Sequence, residues 1–262
     1  MRIPLYQLDA FTTRRFAGNP AAVMRLESFL PDAVLQDIAA ENNLAETAFL
    51  VPQGTDYALR WFTPAVEVPL CGHATLASAA VVMEKLEPTR REVVFHTQSG
   101  ALTVSRAGED YVMDFPARPT AAVETPATLA AALGTVPVEV EADAHHYLVR
   151  VADPPALRTL TPDFAALARL PRGGVIVTAR DAGAPYDFLS RFFAPAKGID
   201  EDPVTGSAHC SLVPFWARRL GKTSLRAFQA SKRGGELQCR LLGERVELAG
   251  SCVFFLEGAV EL

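Results

Sequence analysis

Two short segments of nearly the same sequence constrain the fold of this chain more than any other feature. The segment that begins at Arg60 reads RWFTPA, and the segment that begins at Arg191 reads RFFAPA. Each is followed by a loop, a glycine and a helical pattern, with Gly72 12 positions after Arg60 and Gly206 15 positions after Arg191. A similarity that recurs with its neighbouring elements in the same order indicates a duplicated chain with a longer second loop.

The length of the chain fits this duplication. With 262 residues, of which 49% are hydrophobic and 21% charged, the chain is an ordinary globular sequence that can form two domains. We expect an N-terminal domain over residues 1–116, joined by a C-terminal strand over 250–262. The second domain is then expected over residues 117–249.

Hydrophobic periodicity predicts one long helix in each half. GHATLASAAVVMEKL predicts a helix over 72–86 that ends before Pro88, and SAHCSLVPFWARRLG predicts one that ends at Gly221. Pro214 lies inside the second pattern, where it predicts a kink or an early break. A shorter helix is expected after Pro31, and most other periodic runs have the alternation typical of strands.

Charge and cysteine usage argue against several classes of protein. The net charge is −5 and no basic stripe occurs, so no nucleic-acid partner is expected. The N-terminal residues lack a signal-peptide pattern and no apolar run is long enough for a membrane span, so we expect a cytoplasmic protein. The four cysteines form no CxxC pair, and neither GxGxxG nor a P-loop is present, so no metal or nucleotide cofactor is predicted.

The two glycine-headed helices predict an anion site. A helix start presents unpaired N–H groups and partial positive charge, and glycine lets a ligand approach the backbone closely. If Gly72 and Gly206 face one cleft between the halves, they could hold a carboxylate and stabilise charge that develops beside it. The alternative is that these glycines only begin their helices.

Proton transfer also needs an acid or base, and two glutamates are candidates. Glu46 lies among apolar residues in LAETAF, a setting that suits proton transfer near neutral pH. A solvated glutamate at a strand edge is the alternative for Glu46. Glu67 has only a loop context, which favours a solvated charge.

Other candidates lie beside the two glycines. Cys71 and His73 are two positions apart at a helix start, which leaves open both a reactive dyad and a buried structural thiol. Asp202 could be functional or could only form a turn, and Ser207 could be functional or a helix cap. His146 has no evident sequence partner, and we interpret it as structural or exposed.

Five segments together resemble a known family. They are DAFTTRRFAGNPAAV (9–23), ENNLAETAFLV (41–51), LRWFTPAVEVPLCGHATLASA (59–79), RFFAPAKGIDEDPVTGSAH (191–209) and SKRGGEL (231–237). In this order they resemble the phenazine-biosynthesis PhzF-like isomerases, within the diaminopimelate epimerase/proline racemase fold group. The resemblance implies an α+β fold with two similar domains, each a curved, mostly antiparallel sheet around a central helix.

The same resemblance implies an activity and a site. It implies proton transfer without metal or cofactor on a small carboxylate-bearing substrate, and commonly a homodimer. Carried over by motif, the implied catalytic residues are Glu46, His73, Asp202 and Ser207. The implied substrate-binding residues are Asn19, Gly72, Gly206 and Cys71.

One departure from the racemases bears on the mechanism. Those relatives use two cysteines, whereas the repeat aligns Cys71 with Thr205, and threonine cannot act as a carbon base near neutral pH. We therefore expect an isomerase centred on Glu46. Two alternatives stay open, an amino-acid epimerase or racemase that uses Cys71, and a non-catalytic protein that binds a small molecule.

Overall fold

The computed structural model describes residues 1–183 and 185–262. They form two compact units, of which unit 1 comprises Met1–Asp114 with Ala249–Leu262 and unit 2 comprises Phe115–Leu248. Among these described residues, every helix is too short or too polar to cross a bilayer.

Unit 1 contains nine strands and two α-helices among its described residues. The strands are β1 (Arg2–Ala10), β2 (Asn19–Arg25), β3 (Glu46–Gln53), β4 (Asp56–Phe62), β5 (Glu67–Val68), β6 (Glu92–Thr97), β7 (Gly100–Ala107), β8 (Asp110–Pro116) and β18 (Cys252–Glu261). The helices are α1 (Asp32–Asn42) and α2 (Gly72–Val81), and α2 continues into a π-helical segment at Val82–Leu86. The helix predicted over 72–86 is therefore confirmed.

The strands of unit 1 pair mostly antiparallel around α2. Their order is β18-β1-β2-β3-β4-β6-β7-β8, and among these described strands β2 pairs parallel with β3 and β4 pairs parallel with β6. Helix α2 contacts β1, β2 and β3 and is buried from His73 to Val81. Burial on all sides explains why its sequence is mostly apolar and has no exposed polar face.

The described part of unit 2 contains the remaining strands and four α-helices. The strands are β9 (Ala121–Ala122), β10 (Glu139–Ala142), β11 (His146–Arg150), β12 (Gly174–Arg180), β13 (Phe188–Ala194), β14 (Ile199–Asp202), β15 (Ser224–Gln229), β16 (Gly235–Leu242) and β17 (Arg245–Gly250). The helices are α3 (Leu129–Leu133), α4 (Pro154–Arg158), α5 (Phe164–Leu167) and α6 (Gly206–Leu220).

Unit 2 repeats the strand order of unit 1. The series β10-β11-β12-β13-β15-β16 alternates antiparallel and parallel pairs in the same sequence as β1-β2-β3-β4-β6-β7. Helix α6 follows the short strand β14 as α2 follows β5. The duplication inferred from the two similar segments is thus present in the strand topology.

The repeated arginine has the same partner in each unit. Arg60 holds the Glu67 carboxylate through two hydrogen bonds of 2.7 Å, and Arg191 holds Glu201 through two of 2.7 and 2.9 Å. Two parallel N–H···O bonds fix both position and orientation. The acid follows the arginine by seven positions in unit 1 and by ten in unit 2, so this pair spans the loop that differs in length.

Pro214 does not break α6, contrary to one of the two expectations for it. The helix runs from Gly206 to Leu220 with Pro214 inside. Proline lacks an N–H, so the carbonyl four residues earlier loses its helical donor. That carbonyl, of Cys210, instead accepts a hydrogen bond of 2.9 Å from the Arg118 N–H, which explains why the helix continues.

Candidate active site

Three elements of unit 1 bring an acid, an imidazole and an amide together. Glu46 is the first residue of β3 and Asn19 the first of β2, and these strands run parallel with Ala21 opposite Glu46. His73 is the second residue of α2, whose N-terminus lies beside the same strand starts. The local topology therefore gathers residues that are far apart in the sequence.

His73 lies at the centre of this cluster, and each ring nitrogen faces different groups. Its Nε2 is 3.1 Å from Glu46 Oε2. Its Nδ1 is 3.1 Å from Asn19 Nδ2 and 3.4 Å from Cys71 Sγ. All four side chains are buried, and Glu46 is the most accessible at 9% exposure. Such a chain of buried polar groups is suited to holding a proton in a defined place.

The charges around His73 favour its protonated form. Burial alone disfavours an imidazolium ion, but Cys71 and Glu46 outweigh it and hold the pKa of His73 well above its ordinary value. We attribute the direction of this shift mainly to the Glu46 carboxylate, because the thiol of Cys71 stays protonated near neutral pH. A charged ring 3.1 Å from Glu46 Oε2 holds that carboxylate in place by electrostatic attraction.

Cys71 is a poor candidate for a nucleophile or a base. Burial raises the pKa of its thiol to about 11, with a further contribution from Glu46, and the neighbouring His73 offsets this only in part. A thiol with this pKa is protonated near neutral pH. Because the thiolate is the reactive form, Cys71 is unreactive there. The position at a helix start, which suggested a lowered pKa, is outweighed by burial.

The same cluster contains three potential metal ligands. One donor atom each from Glu46, Cys71 and His73 lie within 4.8 Å of one another. However, His73 turns Nε2 towards Glu46 and Nδ1 towards Cys71, so an ion on either nitrogen would face only one of the other two donors. This arrangement is typical of a hydrogen-bonded relay and differs from a tetrahedral zinc site.

The other candidate acid in unit 1, Glu67, is held by an arginine. Glu67 accepts both hydrogen bonds from Arg60, and its Oε1 also accepts one of 2.9 Å from Gln98. Among the described residues, the ion-pair partner recorded for Glu46 is His73 alone, with no lysine or arginine. Glu46 is therefore the carboxylate that is positioned without being neutralised by a permanent cation.

In unit 2, a second polar network forms around the start of α6. Thr205 precedes the helix, its N–H donates to Gln229 Oε1 at 2.9 Å, and its hydroxyl donates to the Asp202 carboxylate. Gln229 also donates from Nε2 to the Asp202 carbonyl at 2.8 Å. Gly206 is the first residue of the helix, and Ser207 is the second and half-buried.

The two helix starts are built alike. Cys71 and Thr205 both have extended backbone angles immediately before their helices, as the alignment of the repeats predicted. In each, a side chain four residues later donates to that residue's carbonyl, from Thr75 Oγ1 at 2.5 Å and from His209 Nδ1 at 2.8 Å. The scaffold is thus repeated down to single hydrogen bonds.

The position of Glu46 has no acidic counterpart in unit 2. The strand registers place Thr47 opposite Phe62 and Val175 opposite Phe193, so Gly174 corresponds to Glu46. A Cβ at Gly174 would lie 2.8 Å from both the His146 ring and the Phe192 ring, so no side chain fits there without displacement.

A buried polar cluster in unit 2 was missed from the sequence. Asp143 accepts hydrogen bonds from the N–H groups of His145 and His146 at 2.6 and 2.7 Å, and from Ser211 Oγ at 2.6 Å. His146 Nδ1 lies 3.5 Å from Asp143 Oδ2. His146, for which the sequence offered no evident partner, is therefore buried and structural, one of the two interpretations given for it. Nothing local in the sequence signals the contact with Ser211, which is 68 positions from Asp143.

Comparison with known proteins identifies the family. A model of the phenazine biosynthesis-like protein family matches residues 8–258. A Pseudomonas aeruginosa protein named as an uncharacterized isomerase is 54% identical over 100% of both chains. A crystal structure of a PhzF-family protein from Enterococcus faecalis superposes with a TM-score of 0.96 at 45% identity over 100% of both chains. The chain therefore belongs to the phenazine biosynthesis-like PhzF family of isomerases.

A more distant neighbour extends the fold relationship. A hydroxyproline epimerase from Agrobacterium vitis superposes with a TM-score of 0.61 at 13% identity, over 99% of this chain and 91% of that chain. At this identity the likeness shows the fold alone. Together with the repeated strand order, it confirms the predicted α+β, diaminopimelate epimerase-like fold class.

Proposed function

We propose that this enzyme moves a proton between two carbons of a small carboxylate-bearing substrate without a cofactor, with Glu46 as the group that takes and returns the proton. The observation that carries this proposal is the contact of 3.1 Å between Glu46 Oε2 and His73 Nε2 in a buried cluster. A carboxylate that is held by a titratable histidine, and not by a lysine or an arginine, is suited to acid–base catalysis.

The proposed reaction needs no co-reactant, because the proton and the electron pair stay within the substrate and Glu46. The carboxylate removes a proton from one carbon, and the electron pair of the broken C–H bond spreads into the neighbouring unsaturated system and its carboxylate. Glu46 then returns the proton to a different carbon of that system, which shifts the double bond. No electron is gained or lost, and His73 keeps Glu46 in place throughout.

Two observations support a single proton-transfer group. Cys71 has a thiol pKa of about 11, and the position equivalent to Glu46 in unit 2 is Gly174. A racemase of this fold group that follows the two-thiol scheme needs a second base, for which Thr205 is unsuited because its hydroxyl donates to Asp202. The racemase alternative is therefore less well supported.

Several finer assignments remain predictions. Substrate contacts by Asp202, Ser207, Gly72 and Gly206 rest on the motifs that carry them. A homodimer and a cytoplasmic location rest on the family resemblance and on the N-terminal sequence pattern.

Solvent isotope labelling tests the proposed reaction. The enzyme would be incubated in D₂O with pools of small unsaturated carboxylates, and the mixtures analysed by NMR and mass spectrometry. The proposal expects a product of the same formula with a shifted double bond. Deuterium confined to a stereocentre, with no shift of a double bond, would favour the racemase. Compounds that bind and never change would favour a binding protein.

A further inference from the structure

We infer that Asn19 is a positioning residue that keeps the proton of neutral His73 on Nε2, where it faces Glu46. This inference rests on the proposed function of Glu46. It also goes beyond the substrate contact that the family resemblance implies for Asn19, because it assigns the amide a partner inside the protein.

The backbone at Asn19 is held in one position. Asn19 is fully buried and pairs with Ala10 at the start of β2. The preceding Gly18 has a φ of +64°, and a Cβ there would come within 2.2 Å of the Ala10 carbonyl oxygen. Only glycine fits this turn without a shift of the backbone, so the turn fixes where Asn19 enters the cluster.

The contact between Asn19 and His73 has a consequence for the proton. A neutral imidazole carries one N–H and one bare nitrogen that accepts. Asn19 Nδ2 lies 3.1 Å from His73 Nδ1, and an amide N–H can donate only to a bare nitrogen. The proton of the neutral ring must then be on Nε2, which is 3.1 Å from Glu46 Oε2.

An asparagine suits both charge states of the ring. When His73 is charged, Nδ1 also carries a proton, and the amide turned over presents its oxygen to that proton. When the ring loses one proton, the amide N–H favours loss from Nδ1. The N–H that faces Glu46 is thus retained in both states, and Glu46 is left as the group that exchanges a proton with the substrate.

An aspartate at this position would reverse the preference. A carboxylate only accepts, so it would hold the proton on Nδ1 and leave a bare Nε2 facing Glu46. Cys71, the other neighbour of Nδ1 at 3.4 Å, is a protonated thiol and a weak donor. It favours the same tautomer as Asn19, so Cys71→Ala should leave the tautomer unchanged.

Ring ¹⁵N NMR of the full chain tests this inference directly. The protein has five histidines, and the His73 signals would be identified by their loss in His73→Gln. As the pH is raised until the ring is neutral, Nδ1 of the unmodified protein should lose its proton and Nε2 should keep it. Loss of the proton from Nε2 would overturn the inference.

Asn19→Asp provides the second readout. At a pH high enough to leave His73 with a single proton, we expect the ring of Asn19→Asp to carry that proton on Nδ1, because a carboxylate only accepts. Asn42→Asp is the matched control, since Asn42 donates to Thr47 Oγ1 at 3.1 Å and a hydroxyl can also donate to a carboxylate. An Asn19→Asp protein whose neutral ring still carries its proton on Nε2 would overturn the inference.

The outcomes separate this inference from the proposed function. The tautomer is read from the ring without any turnover, and the unmodified protein decides it even if Asn19→Asp does not fold. An Nε2-protonated ring together with a fully active Glu46→Gln protein would contradict the role of Glu46 and leave the role of Asn19 in the tautomer intact.

Discussion

Glu46 Oε2 lies 3.1 Å from His73 Nε2, and the two side chains are exposed by only 11% and 5%. The contact joins the first residue of β3 to the second residue of α2, so it depends on how strand and helix pack and not on local sequence. It couples an acid that can exchange a proton to a ring whose pKa is held well above its ordinary value.

Replacement of Cys71 by alanine should leave most of the activity. The thiol is protonated near neutral pH because burial raises its pKa to about 11, so it supplies no base. We expect kcat/KM to stay within about threefold, since removing a group that takes no part in the chemical step leaves the barrier unchanged. Steady-state kinetics checks this, and a loss of a hundredfold or more would instead favour a thiol-based racemase.

The reactivity of Cys71 towards an alkylating agent gives an independent check. The rate should be low at pH 7.5 and should increase as the pH approaches 11, because only the thiolate reacts. Mass spectrometry of peptides after timed exposure would locate the label. Rapid labelling of Cys71 in the folded protein at pH 7.5 is the result that our description does not allow.

Asp143→Asn should destabilise the protein in a pH-dependent way. The side chain of Asp143 is only 5% exposed, which opposes its charge, but His146, Ser211 and two backbone N–H groups hold its pKa well below the ordinary value. A lowered pKa stabilises the fold above the unfolded value near 3.8, and this contribution is lost as the pH falls through the folded value. We expect a loss of about 2–4 kcal/mol at pH 7, since hydrogen bonds to a charged group are removed.

Urea unfolding at pH 7 and at pH 3 measures this effect. The difference between Asp143→Asn and the unmodified protein should be smaller at pH 3. Asp37→Asn, which changes an exposed acid on α1, serves as the control and should have little effect at either pH. Equal stability of the Asp143→Asn and unmodified proteins at pH 7 would contradict the structural role assigned to Asp143.

His209 should make the fold sensitive to mild acid. Burial lowers the pKa of His209 to about 4, although its Nδ1 donates to the Thr205 carbonyl. The unfolded chain binds a proton near pH 6.5 and the folded chain only near pH 4, so stability decreases as the pH falls between these values. The decrease should reach about 3 kcal/mol by linkage.

His209→Asn keeps a hydrogen-bond donor and cannot take up the proton. Its stability should therefore depend less on pH between 6.5 and 4 than that of the unmodified protein, as measured by urea unfolding at several pH values. A chemical shift titration that gives an ordinary pKa for His209 in the folded protein would be inconsistent with its complete burial.

The repeated scaffold could be predicted from the sequence because short, continuous segments of the two halves are similar. Arg60 and Arg191 lie on equivalent strands and bind Glu67 and Glu201. The separation of each pair differs by the same three residues as the loop length. The early break allowed for at Pro214 did not occur, because a distant N–H satisfies the carbonyl that proline leaves without a donor.

The site could be predicted only in part. The motifs predicted Glu46 and His73 as site residues. They could not predict which ring nitrogen of His73 faces Glu46, because that depends on how α2 is rotated against β2 and β3. Local sequence left open both a reactive and a buried Cys71, and the burial that raises its thiol pKa could be decided only from the structure. Gly174 could be recognised as the counterpart of Glu46 only from the strand registers.

The most direct test compares Glu46→Gln with Glu67→Gln in the solvent-labelling assay, once a substrate has been found. Both variants replace a carboxylate of unit 1 by its neutral isostere, but Glu67 is bound to Arg60 and Glu46 faces His73. We predict that Glu46→Gln lowers deuterium transfer about a hundredfold to ten-thousandfold, and that Glu67→Gln retains most of it. Unchanged deuterium transfer in Glu46→Gln would contradict the account.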